Sequence, residues 1–182
     1  MQGRFIYQLS DGETSLVNFI IRRATLGDAA GIAKVHINSW KTTYAGIIPD
    51  EVLINLNNDE RTTRWREILS DPDGKQAVFV VETDDGRIVG FASAEAERGG
   101  DPIYEGEISA IYLLKEYQRL GIGRRLFSIA AQELAARGFR NMLVRVLAAN
   151  SSCRFYEALG GMKLGEAEAH ISGVAHPGVA YG

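Results

Sequence analysis

The chain has 182 residues, 46% of them hydrophobic and 24% charged, at a formal net charge of −3: enough apolar side chains for one ordinary core, and a balance that argues against general nucleic-acid binding. Its single cysteine, Cys153, excludes an intrachain disulfide and a cysteine-based zinc cluster and fits a reducing compartment, while His36, His170 and His176 lie far apart in sequence. No apolar run approaches the roughly 20 residues of a membrane span and the first residues lack the apolar stretch of a secretory signal, so a cytoplasmic protein of one domain is expected, with no membrane, no nucleic acid and no metal.

Residues 1–17 are mixed and polar, with Asp11-Gly12 as a turn signal, and read as an arm or an extra edge strand ahead of a core of about 19–170. Phe19 to Ala24 is a short β-type run. Thr25, with an acid three residues on at Asp28, caps a helix that holds its pattern through Ile32, Val35, His36 and Trp40 to about Tyr44. Gly46 and Pro49 stop it. Two shorter helices follow, one from about Ile47 to Leu53 and one from about Asp59 to Leu69. Trp40, Tyr44 and Trp65 read first as core aromatics; the other role open to them is the wall of a binding pocket.

From Ala77 the period changes to that of strands: Ala77 to Glu82, a Thr83-Asp84-Asp85-Gly86 hairpin turn, Arg87 to Glu95, a loop at Arg98 to Pro102, and Glu105 to Leu113. The last strand runs into Gln118-Arg119-Leu120-Gly121-Ile122-Gly123, which opens a helix with an apolar face of Ile122, Leu126, Ile129, Ala130 and Leu134. Gly121 and Gly123 remove side chains where the backbone bends, and a helix N-terminus offers unpartnered amides at the positive end of its dipole. With Arg119, Arg124 and Arg125 beside it, this turn suits a phosphate. A plain glycine turn is the other reading. The pattern matches neither a P-loop nor a dinucleotide fingerprint. Residues 115–154 carry eight Lys/Arg against two acids, leaving twelve and twenty-one for the remainder, which suits a polyanionic ligand here and a cationic one elsewhere.

Gly138 is placed to cap that helix, and Asn141 to Leu147 is an apolar strand parallel to Glu105–Leu113, because the helix between them is a crossover. Asn150 caps a further helix containing Phe155, Tyr156 and Leu159, ended by Gly160-Gly161. Met162 to Ala169 is a late strand, and the tail from His176 holds at most one short last strand.

This order of elements, with Q-R-L-G-I-G at 118–123 and N-S-S-C-R-F-Y-E-A-L-G at 150–160, resembles the GCN5-related N-acetyltransferase (GNAT) superfamily over roughly residues 19–170. The resemblance implies an α/β (α+β) fold: a mixed central sheet of six or seven strands, antiparallel in its first half, a parallel splayed pair around the acetyl-CoA site, and four to five helices. It implies acetyl-CoA as cosubstrate, with pyrophosphate on Gln118, Arg119, Leu120, Gly121, Ile122, Gly123 and Arg124. Pantetheine is implied along the backbone of Ile111, Tyr112 and Leu113, whose side chains then matter less, and Asn150 completes the cofactor residues. The implied reaction is direct transfer of acetyl to a primary amine of a small molecule or peptide, through a tetrahedral intermediate.

Tyr156 falls on the family's tyrosine and is the implied general acid for the leaving thiolate. A protonated amine must also lose a proton. Glu107 is the candidate base; by strand alternation it shares a face with Ser109 and Ile111, and Glu105 is its substitute. Trp40 and Tyr44 are candidate acceptor walls, and the acidic remainder favours a cationic acceptor. Gly161 stands where many relatives carry an aromatic residue, so the strand after it is expected to pack differently. Cys153 has no nearby histidine to support a covalent route. The alternative in the same fold is a non-catalytic acyl-CoA-binding module. A homodimer is the default assembly.

Overall fold

The computed structural model describes the backbone of residues 2–8, 14–171 and 173–182, and side chains throughout these except at 2–8, 14–17, 167 and 170. The expected Asp11-Gly12 turn lies outside the described residues. Strands β1 (Gln2–Gln8) and β2 (Thr14–Arg23) pair antiparallel, so the segment read as an arm belongs to the edge of the sheet, and the first core strand begins at Thr14 rather than Phe19.

Helix α1 (Ala29–Thr43) is entered through a 3-10 turn, Leu26–Asp28. The Asp28 carboxylate accepts from the Thr25 amide at 2.7 Å and the Thr25 hydroxyl at 2.9 Å. Arg22 grips the same carboxylate with its two terminal guanidinium nitrogens, at 2.7 and 2.8 Å, and this lowers the Asp28 pKa to about 2. The capping box thus also staples α1 to β2. Helices α2 (Asp50–Ile54) and α3 (Asn58–Leu69) follow, the latter capped by the Asn57 side chain, which accepts from the Asp59 and Glu60 amides.

The remaining elements are β3 (Ala77–Thr83), β4 (Ile88–Ala96), β5 (Gly106–Leu113), α4 (Ile122–Ala136), β6 (Met142–Leu147), α5 (Cys153–Ala158), β7 (Lys163–Ile171) and β8 (Val174–Tyr181). Among the described residues they form one sheet in the order β1-β2-β3-β4-β5-β6-β8-β7, eight strands where six or seven were expected. The extra strands come from the two ends of the chain. In particular the tail is no short stub: β8 pairs with both β6 and β7, and the Gly182 and Met162 backbones exchange hydrogen bonds at 3.0 and 2.9 Å.

Helix α4 covers one face, burying Ile122, Leu126, Ala130 and Leu134 to 2% exposure or less against β3, β4 and β5. Each of the larger of these side chains contributes roughly 1.5–3 kcal/mol by leaving water. Helices α1 and α3 pack on each other over the opposite face. A smaller cluster of Tyr44, Ile48, Leu53 and Leu147 joins α1 and α2 to the end of β6, with Ala169 and Ile171 of β7 against it.

Two irregularities of β5 shape the cleft beside it. Its parallel pairing with β6 is confined to Gly106↔Met142 and Glu107↔Leu143, and beyond Glu107 the strands part. Against β4, Ala94 pairs with Ile108 but Ser93 with Ala110, so Ser109 is an extra residue, a β-bulge. The bulge reverses the alternation. Glu107 therefore shares its face with Ala110 and Tyr112, toward α1, and Ile108 shares its face with Ile111 and Leu113, toward α4. This corrects the grouping of Glu107 with Ser109 and Ile111.

Candidate active site

The parting of β5 and β6 leaves a cleft of about 80 Å³ lined by Ile108 to Leu113, Gln118, Thr43, Tyr44, Arg145, Val146, Asn150, Ser152 and Tyr156. Toward α4 the cleft is bounded by backbone. Leu113 ends β5 opposite Gly90, where an added Cβ would collide with the Leu113 side chain, so Gly90 lets that side chain reach the first turn of α4. The sharp reversal falls at Arg119 (φ 64°) and Gly121 (φ 78°), not at Gly123. Gly123 lies inside α4, where a Cβ would stand 3.4 Å from Leu113 and 3.5 Å from Phe155, an ordinary contact. The Gln118 side-chain amide donates to the Leu113 carbonyl at 2.9 Å, and Arg124 donates to Ala158 O at 3.2 Å. Both tie the turn to its surroundings while the first-turn amides of α4 stay open to an anion.

The side toward α1 is made of side chains. The Tyr112 hydroxyl accepts from the Trp40 indole N–H at 3.1 Å and lies 3.2 Å from the Tyr44 hydroxyl. His36 stacks on the Tyr112 ring at 5.1 Å, inside a cage completed by Trp40, Trp65 and Phe91. Burial there lowers the His36 pKa to about 3, helped by the nearby Arg61 charge, so the ring is neutral at physiological pH. Trp65 is core, whereas Trp40 is half-buried and Tyr44 lines the cleft. Asn150 is buried, accepts from the Ser152 amide at 2.9 Å, and its side chain also reaches Tyr44.

Tyr156 projects from α5 between this cleft and a second cavity of about 190 Å³ lined by Phe127, Met142, Leu143, Leu159, Gly161 and Tyr181. That cavity borders Gly161, and no side chain from this position fills it. The Tyr156 hydroxyl has no hydrogen-bond partner among the described residues, and burial raises its pKa above the usual phenol value. It therefore holds its proton and keeps it unshared.

Glu107 is almost wholly buried, and both its oxygens are occupied. Arg98 donates to them at 3.0 and 3.1 Å, and Arg145 of β6 approaches at 3.3 Å. Arg145 also pairs with Glu97, and Glu105 pairs with Arg140 through side chain and backbone. These ion pairs bracket the point where β5 and β6 separate.

The family profile for the acetyltransferase (GNAT) family matches residues 35–161. An uncharacterized N-acetyltransferase of Bacillus subtilis (strain 168), YuaI, is 40% identical over 154 residues, covering 85% of this chain and 86% of that one. The chain belongs to the GNAT acetyltransferase family. Among solved structures, the PaiA N-acetyltransferase of Thermoplasma acidophilum in complex with coenzyme A superposes with a TM-score of 0.67 at 19% identity, covering 89% of this chain and 97% of that one. YncA from Salmonella typhimurium, solved with its cofactor acetyl-CoA, gives a TM-score of 0.64 at 22% identity, covering 90% and 92%. At these identities the two structures speak to the fold.

Within this GNAT frame, Ile111 to Leu113, Gln118, Asn150, Tyr44 and Tyr156 meet at the cleft and Trp40 stands behind Tyr112, while Arg119 to Arg124, also singled out from the sequence, lie outside the lining of the cleft. Glu107 is beside the cleft but outside its lining. The phenol of Tyr112, a residue whose backbone was expected to count more than its side chain, joins Trp40 and Tyr44 beside the cleft. His36 and Arg61 escaped notice as site residues. His36, Trp40 and Tyr44 repeat every four residues on one face of α1, a signal for His36; nothing in the sequence places Arg61 over Trp40.

Proposed function

We propose that this chain binds acetyl-CoA along β5 and the first turn of α4 and transfers its acetyl group to a primary amine held in the cleft. One observation carries the reading: the sheet opens directly after Glu107, and the opening leads from the α4 N-terminus to the unshared hydroxyl of Tyr156. Phosphates meet the first-turn amides with Arg119 and Arg124 close by, and the exposed edge of β5 offers backbone groups to an extended amide-bearing arm.

The neutral amine nitrogen attacks the thioester carbonyl carbon to give a tetrahedral intermediate; on its collapse the carbon–sulfur bond breaks, Tyr156 gives its proton to the departing sulfur, and the proton shed by the nitrogen, carried through solvent, restores the phenol. A raised pKa suits this task because the phenol is fully protonated at neutral pH. Glu107 is better placed as a clamp than as a base: its oxygens are taken by two guanidiniums, and they hold the β4–β5 loop and β6 on either side of the opening. The amine then enters in its neutral form. Cys153, with its Sγ 3.8 Å from the Leu147 and Ala148 carbonyls, plays no covalent part. The chemistry and the single cysteine fit a cytoplasmic enzyme.

The test is thiol release from acetyl-CoA across a panel of amines. Wild-type protein is expected to release thiol with at least one amine, and Tyr156→Phe to lower kcat by roughly 10²–10⁴ with little change in the KM for acetyl-CoA. Tight acetyl-CoA binding with no release from any amine selects the non-catalytic module instead. A Tyr156→Phe enzyme as fast as wild type removes this residue from the mechanism.

A further inference from the structure

One charge on the acceptor side has no counter-charge. Among the described residues Arg22, Arg61 and Arg137 are the half-buried arginines; Arg22 pairs with Asp28 and Glu82, and Arg137 with Glu133, while Arg61 has no carboxylate within ion-pair distance. Arg61 stands in the first turn of α3, its guanidinium 5.7 Å from the centroid of the Trp40 ring. Its sequence neighbours Asp59 and Glu60 are exposed and leave it unpaired. A cation–π contact offsets only part of the cost of half-burying a guanidinium.

Trp40 connects this charge to the cleft. Its N–H holds the Tyr112 hydroxyl, and its ring meets Tyr44 edge-on at 5.1 Å, and both tyrosines line the cleft. None of the described residues lining the cleft is an aspartate or glutamate. The charged side chain there is Arg145, already engaged by Glu97 and Glu107. The acidic surplus that suggested a cationic acceptor is partly consumed in ion pairs away from the cleft, at Asp28, Glu82, Glu105 and Glu133. The lining thus offers a cation no counter-charge, and the guanidinium beyond Trp40 offers one to an anion.

Resting on the acetyl-transfer reading, we propose that Arg61 receives an anionic group of the acceptor, so that the acceptor is an amine that also carries a carboxylate or a group of like charge. The amine lies in the cleft beside Tyr44 and Tyr112, and the anion reaches across the Trp40 ring to the guanidinium. Charge-assisted hydrogen bonds of this kind are the strong ones, and a planar guanidinium fits a carboxylate with two of them.

The experiment uses amino carboxylates of increasing separation between amine and carboxylate, each matched with its neutral amide. For wild-type protein at least one carboxylate is expected to exceed its amide by about tenfold or more in kcat/KM. Arg61→Gln should raise the KM for that carboxylate by about tenfold with kcat nearly unchanged and leave the amide within about twofold, and Arg61→Lys should recover part of the loss. Amides that match or exceed every carboxylate overturn the inference, as does an equal loss on both members of a pair. Calorimetry with the N-acetylated carboxylates, with and without coenzyme A, gives a readout independent of turnover. Binding by wild type that is absent in Arg61→Gln supports the site, and no binding by wild type sinks it. Failure of coenzyme A itself to bind refutes the acetyl-transfer reading instead, and the coenzyme-free titration still decides the Arg61 site.

Discussion

The two sides of the cleft are held together in different ways. On the donor side, the end of β5, the reversal at Arg119–Gly121 and the start of α4 present main-chain groups in a fixed arrangement, and the side chains there mostly brace the turn. On the acceptor side, Tyr112, Tyr44, Trp40, His36 and Arg61 come from α1, α3 and β5 and touch through ring contacts and hydroxyls. A main-chain site tolerates many side chains and depends on geometry. A side-chain site tolerates few and sets selectivity. Substitutions on one side should therefore change donor binding alone, and on the other acceptor binding alone.

The largest effect that would break this contrast lies at Gly123. Gly123→Asp brings a carboxylate beside Leu113 and Phe155 into the first turn of α4, the proposed phosphate site, and is expected to weaken coenzyme A binding by more than about 100-fold by calorimetry. Gly123→Ala, whose added methyl meets only ordinary contacts, should stay within a few-fold; equal losses in the two variants would show that shape, and not charge, governs the turn. Tyr112→Phe removes the hub hydroxyl and is expected to raise the acceptor KM by roughly 5–10-fold while coenzyme A affinity holds. A matching loss of coenzyme A affinity would erase the division between the sides.

The smallest effect concerns pH. Because the Tyr156 pKa is raised, no descending limb is expected below about pH 10, and kcat/KM should climb with pH as the neutral fraction of the acceptor grows. Glu107→Gln should lower stability, since it removes the carboxylate that Arg98 and Arg145 share and leaves them only Glu95 and Glu97, and yet keep that climb. A profile flattened by Glu107→Gln would return the base role to this carboxylate.

The same contrast decides how much is legible in the sequence. The donor side can be read because Gln118 to Gly123 is one contiguous stretch, and because a crossover of known length fixes β6 beside β5. The boundaries of α1, α3, β4 and α4 follow from caps, glycines and period for the same local reasons. The acceptor side requires the packing of α3 on α1, which brings Arg61 over Trp40 across 21 positions of sequence. Alternation misplaces the face of Glu107 because it assumes an unbroken ladder, and the tail reads as too short because β8 is stabilised only by its partners β6 and β7.

Ser109 acts on β5 as a single inserted letter acts on a reading frame. Every residue after it, Tyr112 included, faces opposite to what an unbroken count from Glu107 gives, because the ladder passes over one position. Deleting Ser109 would leave each downstream residue on its present face, whereas taking Ser109 into the ladder would turn each to the other one, sending the phenol toward α4 and a leucine toward His36. In comparing GNAT relatives, the residue opposite the acceptor should thus be found by counting from the bulge, since an alignment that closes a gap there pairs side chains that never face the same substrate.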